Sequence, residues 1–86
     1  MVIDMLLRIE RTSLKKRRWR FYCAASELPW LSEETCNNLE KIIFKHNERA
    51  RILKEKLAVI FIMHVEFKND ADEAAFMLWA SDGIVV

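Results

Sequence analysis

Glycine and proline are almost absent from this chain of 86 residues, which contains only Gly83 and Pro29. A glycine-rich phosphate-binding loop is excluded, because such a loop needs several glycines whose backbone approaches the phosphates. Disordered, linker-like and collagen-like chains are excluded as well, since they are rich in these two residues. Few loops are therefore expected, and active sites are usually assembled on loops. The composition favours a protein that is not an enzyme.

Cysteines and long apolar runs are also scarce. Cys23 and Cys36 are too few for a disulfide scaffold, and the longest uncharged stretch, residues 57–65, is far shorter than the roughly 20 residues of a membrane helix. Asp4 and Arg8 interrupt the apolar residues near the N-terminus, so no signal-peptide core is recognised there. We expect a cytoplasmic protein with reduced thiols and no membrane partner.

The residues that are abundant predict one domain with segregated charge. Apolar residues make up 52% of the chain, enough for one core, and we expect a single domain over residues 1–86. The net charge is +1, but residues 8–20 contain seven bases and one acid, and residues 66–86 contain five acids and one base. The acids are either favourable charges at a helix N-terminus or a surface for a basic partner, including a second copy.

Two segments near the N-terminus alternate as strands do. In residues 2–10, apolar and charged side chains fall on opposite faces. In residues 17–25, Trp19 and Phe21 share one face, and Arg18, Arg20 and Tyr22 share the other. A helix capped by Ser13 is the alternative for the second segment. The aromatic content favours a strand, so we predict an antiparallel hairpin.

A long helix is predicted after the proline-containing loop. Ser32 is a typical N-cap, and Glu33 and Glu34 suit the positive end of a helix. The residues that follow recur at alternating sequence steps of three and four, which is a heptad pattern: Cys36, Leu39, Ile43, His46, Ala50, Leu53 and Leu57.

The length of this helix bears on association. A helix over residues 33–57 is about 38 Å long, whereas a domain of this size has a radius of gyration near 12 Å. Either the helix breaks near Asn47, or its end packs against another chain. Because the repeat stays in phase across Asn47, we predict a continuous helix and a homodimer. Its seam consists of His46, Ala50, Leu53 and Leu57.

The rest of the chain predicts one strand, one short helix and a final strand. Residues 58–67 alternate, and the first half of this strand is apolar on both faces, as in a covered central strand. Asn69 or Asp70 caps a helix through Ala80, with an expected buried stripe of Ala71, Ala74, Ala75 and Leu78. Residues 84–86 are a short strand. The predicted fold is an α+β domain of order ββαβα(β), an antiparallel hairpin plus a central strand with both helices packed on the sheet.

No catalytic or metal-binding motif is recognised. Zinc ligands usually come in close pairs, and no such pair occurs among the candidates Cys23, Cys36, His46 and His64. The four serines fall at predicted loops or caps, and neither histidine has a nucleophile partner by motif. We expect no catalytic residues, no metal and no cofactor. An enzyme stays an alternative, because catalytic sites are defined by geometry rather than by sequence order.

A basic and aromatic segment is the clearest candidate binding site. Its members are Lys15, Lys16, Arg17, Arg18, Trp19, Arg20 and Tyr22. Cationic side chains contact phosphates, and an exposed Trp or Tyr stacks on bases. The segment therefore predicts a surface for an acidic partner, including DNA or RNA. The alternative is a solvated hairpin whose charges protect an edge strand from aggregation.

Residues 67–79, with the sequence FKNDADEAAFMLW, resemble the closing segment of many short bacteriophage accessory proteins. The resemblance implies a compact, non-enzymatic protein in the host cytoplasm that binds and inhibits or modulates a host protein or nucleoprotein complex. With Val65 and Glu66, the segment also resembles the third strand and second helix of ferredoxin-like RNA-recognition domains. The RNA-binding residues of that family are not carried over, because residues 60–65 lack its basic-glycine-aromatic motif. Binding of nucleic acid through residues 15–22 is the alternative function.

Overall fold

The computed structural model describes residues 5–86, which form five strands and two helices. In chain order they are β1 (Leu6–Ser13), β2 (Arg18–Cys23), α1 (Glu33–His46), β3 (Arg51–Leu57), β4 (Ile60–Glu66), α2 (Asp70–Ala80) and β5 (Ile84–Val85). The predicted α+β class is confirmed, with one strand more than the predicted order. Residues 2–4 of the first predicted strand lie outside the described residues.

The five strands form one sheet in the order β3-β4-β2-β1-β5, and all neighbouring pairs are antiparallel. One face of the sheet carries the buried side chains of Leu7, Phe21, Met63, Val65 and Ile84. Both helices join this core, α1 through Cys36, Leu39 and Ile43, and α2 through Phe76 and Ala80. The helices therefore cover one face of the sheet, and within residues 5–86 no element covers the other.

Strand β2 confirms the strand prediction for the basic and aromatic segment. Its register with β1 pairs Phe21 with Ile9 and Arg20 with Glu10. Because side chains alternate between the faces of a sheet, Phe21 enters the core while Arg20 lies on the uncovered face. Trp19 and Phe21 are thus separated from the arginines of this strand, whereas Tyr22 shares the face of the arginines, as the spacing predicted.

Helix α1 begins as predicted. The Ser32 hydroxyl accepts a hydrogen bond from the Thr35 backbone N–H at 3.2 Å, and Glu33 and Glu34 occupy the first turn. This cap satisfies one backbone donor that the first turn of a helix leaves unpaired.

The predicted continuous helix over residues 33–57 is wrong, because α1 ends at His46. Asn47 leaves the helical conformation (φ −135°, ψ 79°), and its backbone N–H donates to the Ile43 carbonyl at 2.7 Å. Its side chain is bound by α2, since Nδ2 donates to the Asp72 carbonyl at 3.2 Å and Oδ1 accepts from Trp79 Nε1 at 2.6 Å. Helix α1 therefore ends where the next residue, Asn47, is held by hydrogen bonds to α2.

Residues 51–57 form β3 instead, paired along their whole length with β4. Lys54, Glu55 and Lys56 are residues with good helix propensity, but propensity is a weak prior that tertiary pairing overrides. As a strand, this segment packs Ile52 against the core and provides β4 with a hydrogen-bonded neighbour. With α1 reduced to 14 residues, no helix overhangs the domain, whose radius of gyration is 12.2 Å.

Helix α2 is capped by Asn69, one of the two predicted candidates, but it does not bury the predicted stripe. Asn69 Oδ1 accepts the Asp72 backbone N–H at 2.8 Å. All the residues of the predicted stripe are exposed: Ala71, Ala74, Ala75 and Leu78. Glu73, Phe76 and Ala80 are buried in their place. The Glu73 carboxylate is tolerated in the core because it accepts a hydrogen bond from Trp19 Nε1 at 2.9 Å and lies 3.4 Å from Arg11 Nη2.

Candidate functional site

The sheet face opposite the helices, here called the open face, gathers most of the candidate binding residues. The side chains of this face form rows that cross the strands, and the strand registers give the residues of each row. One row runs Arg51, Glu66, Arg18 from β3 to β2, and the next runs Leu53, His64, Arg20 and on to Glu10 of β1. The open face therefore has a charged region across β1, β2 and the adjoining end of β4.

The arginines of the predicted binding segment are paired with carboxylates. Arg18 Nη2 lies 2.6 Å from Glu66 Oε2, and Arg17 Nε lies 2.7 Å from Asp70 Oδ1. Arg20 Nη2 is bonded to Glu10 Oε2. Partly exposed ion pairs of this kind contribute little to stability. They do mean that a phosphate must displace a carboxylate before it gains these guanidinium groups.

Trp19 does not belong to the binding surface. Its side chain is 8% exposed, and it packs edge-on against Phe76 with ring centroids 5.7 Å apart. Its indole N–H is used by Glu73, and the Arg11 guanidinium lies 4.8 Å from the ring centroid. The expectation that Trp19 stacks on a base is wrong, because the alternation that brings Arg18 and Arg20 to the open face turns Trp19 into the core.

Lys15 and Lys16 occupy the turn between β1 and β2, and both are exposed. The Lys16 backbone N–H donates to Ser13 Oγ at 3.1 Å, which orders the turn. Within residues 5–86, neither lysine has an ion-pair partner.

Tyr22 is half-buried on the open face, where a shallow depression of about 350 Å³ is lined by Ile9, Glu10, Arg20, Tyr22 and Glu27.

The other end of the open face is apolar. Leu53 and Leu57 of β3 lie beside His64 and Ile60 of β4, and Ile62 lies on the same face. Leu31 forms an isolated bridge with Phe61 and is buried. Extending this pairing by one residue places Trp30 opposite Ile62. Trp30 is 53% exposed and Leu57 is 41% exposed. We call this group the apolar patch, and its members are Trp30, Leu53, Leu57, Ile60 and Ile62.

His64 lies between the apolar patch and the arginines. It is directly opposite Leu53 on β3 and Arg20 on β2. Burial lowers the pKa of His64, and the charges of Arg18 and Arg20 lower it further, against the weaker opposing effect of Glu55 and Glu66. The imidazole is thus held in its neutral form more strongly than in the unfolded chain.

The predicted self-association residues do not form a helical seam. His46 ends α1 and stacks on Trp79, with ring centroids 4.4 Å apart and an interplanar angle of 22°. Ala50 lies in the connection to β3, where its backbone N–H donates to the Asn47 carbonyl at 3.1 Å. Leu53 and Leu57 lie on β3 and belong to the apolar patch. The four residues are therefore divided between two surfaces.

Both thiols are free, and their environments differ. Hydrogen bonds from the Ser26 backbone, the Ser26 hydroxyl and the Ala25 backbone lower the pKa of Cys23. Burial raises the pKa of Cys36, which lies on the buried face of α1. No group of three or more His, Cys, Asp or Glu side chains within residues 5–86 is arranged to hold a metal ion.

Sequence reasoning missed Trp30 and the assembly of the apolar patch. One signal was present, because residues 58–62 were recognised as apolar on both faces of their strand. That signal was interpreted as a strand covered on both faces, whereas within residues 5–86 the helices cover one face of β4 and no element covers the other. Trp30 gave no periodic signal, since it lies in a loop whose position depends on the bridge between Leu31 and Phe61.

Comparisons with known proteins found no match. No protein-family model matches the sequence, no curated protein matches it, and no solved structure matches the fold. Neither α1 nor α2, the helices of residues 5–86, combines the length and apolar character that crossing a membrane requires.

Proposed function

We propose that this protein is a non-enzymatic interaction protein that binds and modulates a partner protein through the apolar patch of the open face. The observation that carries the proposal is the one-sided helix layer, which leaves Trp30, Leu57 and Ile62 without a covering element within residues 5–86. Exposed apolar groups bordered by polar ones mark protein–protein contact sites. Trp and Tyr are also the residues that most often dominate the energy of such contacts.

The charges around the patch support a protein partner. Arg51, Glu55 and His64 border the apolar side chains, which resembles the apolar centre and polar rim of a protein interface. A host protein or nucleoprotein complex is the partner class that the resemblance of residues 67–79 to phage accessory proteins implies. On this proposal the protein acts in the cytoplasm of the host cell, where it inhibits or redirects its partner.

A double substitution on the patch tests this proposal. The variant Trp30→Ala/Leu57→Ala removes two exposed apolar side chains and leaves the core intact. Its matched control is Leu14→Ala/Leu78→Ala, which removes two side chains that are 73% and 85% exposed outside the patch. Immobilised wild-type protein and both variants are exposed to bacterial lysate, and retained proteins are quantified by mass spectrometry.

We expect a stoichiometric partner that the wild type and the control retain and the patch variant loses. Circular dichroism and thermal unfolding confirm that all three proteins are folded. A partner retained equally by all three proteins contradicts the patch as the binding site. The absence of any partner of the wild type contradicts the proposed function itself.

Nucleic-acid binding is the second candidate, and the exposed lysines of the β1–β2 turn favour it. Lys15 and Lys16 precede Arg18, Arg20 and Tyr22, which lie along β2 on the open face. A single-stranded nucleic acid that follows this end of the open face therefore meets cations and one aromatic ring. Affinity from this source falls steeply with salt. Lys15→Ala/Lys16→Ala is expected to abolish it, whereas Trp30→Ala/Leu57→Ala is expected to leave it unchanged. Equal affinity of the wild type and the lysine variant for a labelled oligonucleotide contradicts this candidate.

A further inference from the structure

Strand β3 lies at one edge of the sheet, and its outer side has no neighbour within residues 5–86. The directions of backbone groups on β4 show which groups of β3 face outward. Phe61 donates its N–H to the Leu31 carbonyl at 2.8 Å, and Phe67 donates to Arg17 at 3.1 Å. Both donors point away from β3. Because backbone directions alternate along a strand, the even-numbered residues of β4 are those that bond β3.

The register then assigns the free groups of β3. Leu53 is opposite His64, so the odd-numbered residues of β3 direct their N–H and C=O groups towards β4. Ile52, Lys54 and Lys56 direct theirs away from the sheet. An edge of this kind is a template for one more antiparallel strand.

The side chains of β3 are complementary to those of a second β3. When two copies pair antiparallel with Leu53 opposite Leu53, Arg51 of each copy lies opposite Glu55 of the other. Ile52 then lies opposite Lys54, so the free backbone groups of both copies meet as hydrogen-bonded pairs. The leucines form a pair of the closer, non-hydrogen-bonded kind, in which side chains interact best.

Neighbouring registers of β3 with itself lack this match. Centring on Lys54 opposes the two Lys54 side chains and places Leu53 against Glu55. Centring on Glu55 opposes two carboxylates and places Lys54 against Lys56. Like charges directly opposite each other destabilise a strand pair. Of the registers in which the outward-directed backbone groups of both copies meet, only the one centred on Leu53 brings opposite charges together within residues 51–57.

We propose that two copies of this protein associate through their β3 edges in the register centred on Leu53, forming one continuous antiparallel sheet. Arg51 and Glu55, whose charges form the new pairs, are not held in close ion pairs within residues 5–86. The Arg51 side chain is 74% exposed, and its contact with Glu66 is long, at 3.8 Å. Glu55 is exposed and has no ion pair within residues 5–86. The Lys54 charge, which would otherwise oppose association, is held by Glu40 at 3.1 Å.

Complementary charge reversals test this arrangement. Arg51→Glu places acids opposite acids in a homodimer, and Glu55→Arg places bases opposite bases. Each variant alone is expected to weaken dimerisation by about tenfold or more, since two cross-strand pairs change sign. An equimolar mixture of the two variants restores both pairs, so it is expected to form a heterodimer of wild-type affinity. Arg8→Glu is the matched control, because it reverses an exposed charge on β1, which β4 and β2 separate from the β3 edge.

The measurement is light scattering over the micromolar range, with hydrogen exchange to locate the contact. We expect the amides of Ile52 and Lys54 to become more protected as concentration rises, while that of Leu53, already bonded to β4, changes little. A wild-type monomer at high micromolar concentration overturns the proposal. A wild-type dimer that both single variants retain, or that the mixture fails to restore, also overturns it and indicates another contact surface. If the amides of Ile52 and Lys54 become protected only when an extended peptide of another protein is added, the edge belongs to that partner. This result would overturn self-pairing.

Discussion

The indole N–H of Trp79 donates a hydrogen bond to Oδ1 of Asn47 at 2.6 Å, which ties the end of α1 to the last turn of α2. Asn47 is only 8% exposed, and its side-chain amide also donates to the Asp72 carbonyl. The His46 ring stacks on the same indole. These contacts position the residue at which the chain leaves the helix and turns towards β3.

Replacing Asn47 should destabilise the fold. Asn47→Ala removes the acceptor of the Trp79 indole N–H, and a buried polar group without a partner costs about 1–3 kcal/mol. We expect a decrease of this size in the free energy of unfolding, measured by chemical denaturation. Asn37→Ala, at an exposed position of α1, is the control, with a change within about 0.5 kcal/mol. Equal midpoints for both variants would show that the Asn47 contacts do not hold the fold together.

The buried and the exposed tryptophan should respond differently to truncation. Trp19→Ala empties a core position and leaves Glu73 without its indole donor, so we expect a loss of about 3–5 kcal/mol. Trp30→Ala removes a side chain that is 53% exposed, and a surface change of this kind is expected to alter stability by about 0.5 kcal/mol. Thermal and urea unfolding of the two variants provides the comparison. Similar losses would contradict the burial of Trp19.

The two thiols should differ in reactivity. Thiolate is the nucleophilic form, and hydrogen bonds lower the pKa of Cys23 whereas burial raises that of Cys36. We expect iodoacetamide to modify Cys23 in the folded protein and to modify Cys36 only after denaturant is added, as measured by peptide mass spectrometry. Ser26→Ala removes one stabilising hydroxyl and should slow the reaction of Cys23. Rapid labelling of Cys36 in the native protein would contradict its burial in the core.

His64 should make stability decrease in mild acid. Because burial and the charges of Arg18 and Arg20 lower its folded pKa below the unfolded value of about 6.5, the unfolded chain binds the proton first as pH falls. The His64 contribution to stability is therefore complete above about pH 7 and is lost as the pH falls through the unfolded pKa towards the folded one.

The variant His64→Gln isolates this effect. We expect the difference in unfolding free energy between wild type and variant to shift in favour of the variant between about pH 7.5 and pH 5.5. Urea denaturation at several pH values gives this difference. Parallel pH profiles for the two proteins would show that folding does not perturb the His64 titration.

Local signals in the sequence predicted the elements that depend on nearby residues. Ser32 was recognised as a cap, and Asn69 as one of two candidates beside Asp70, because an N-cap contacts a backbone N–H only three residues away. The separation of Trp19 from Arg18 and Arg20 was also predicted, since strand alternation is a local property. The placement of Arg18, Arg20 and Tyr22 on one face of the sheet followed from the same alternation.

The β3–β4 hairpin had no comparable local signal. Its two-residue turn is Ala58-Val59, which lacks the Asn-Gly or Asp-Gly pattern typical of such turns. Ala58 nevertheless adopts a positive φ of 56°. The heptad spacing of Ala50, Leu53 and Leu57 is equally compatible with a helix in the isolated segment, and so the pattern favoured the wrong element.

The amino-acid sequence by itself determined the class of this domain, its two helix starts and the faces of its first hairpin, because caps and alternation act over a few residues. The tertiary structure alone decided that α1 ends at His46, that residues 51–57 join the sheet, and that Glu73 replaces Leu78 in the core. Two of these outcomes depend on a partner distant in sequence, Trp79 for Asn47 and Trp19 for Glu73. The third depends on β4, which follows β3 after a two-residue turn and itself pairs with the distant strand β2. The scarcity of glycine and proline indicated few loops, but only the one-sided packing of the helices created the open face on which recognition is proposed to occur.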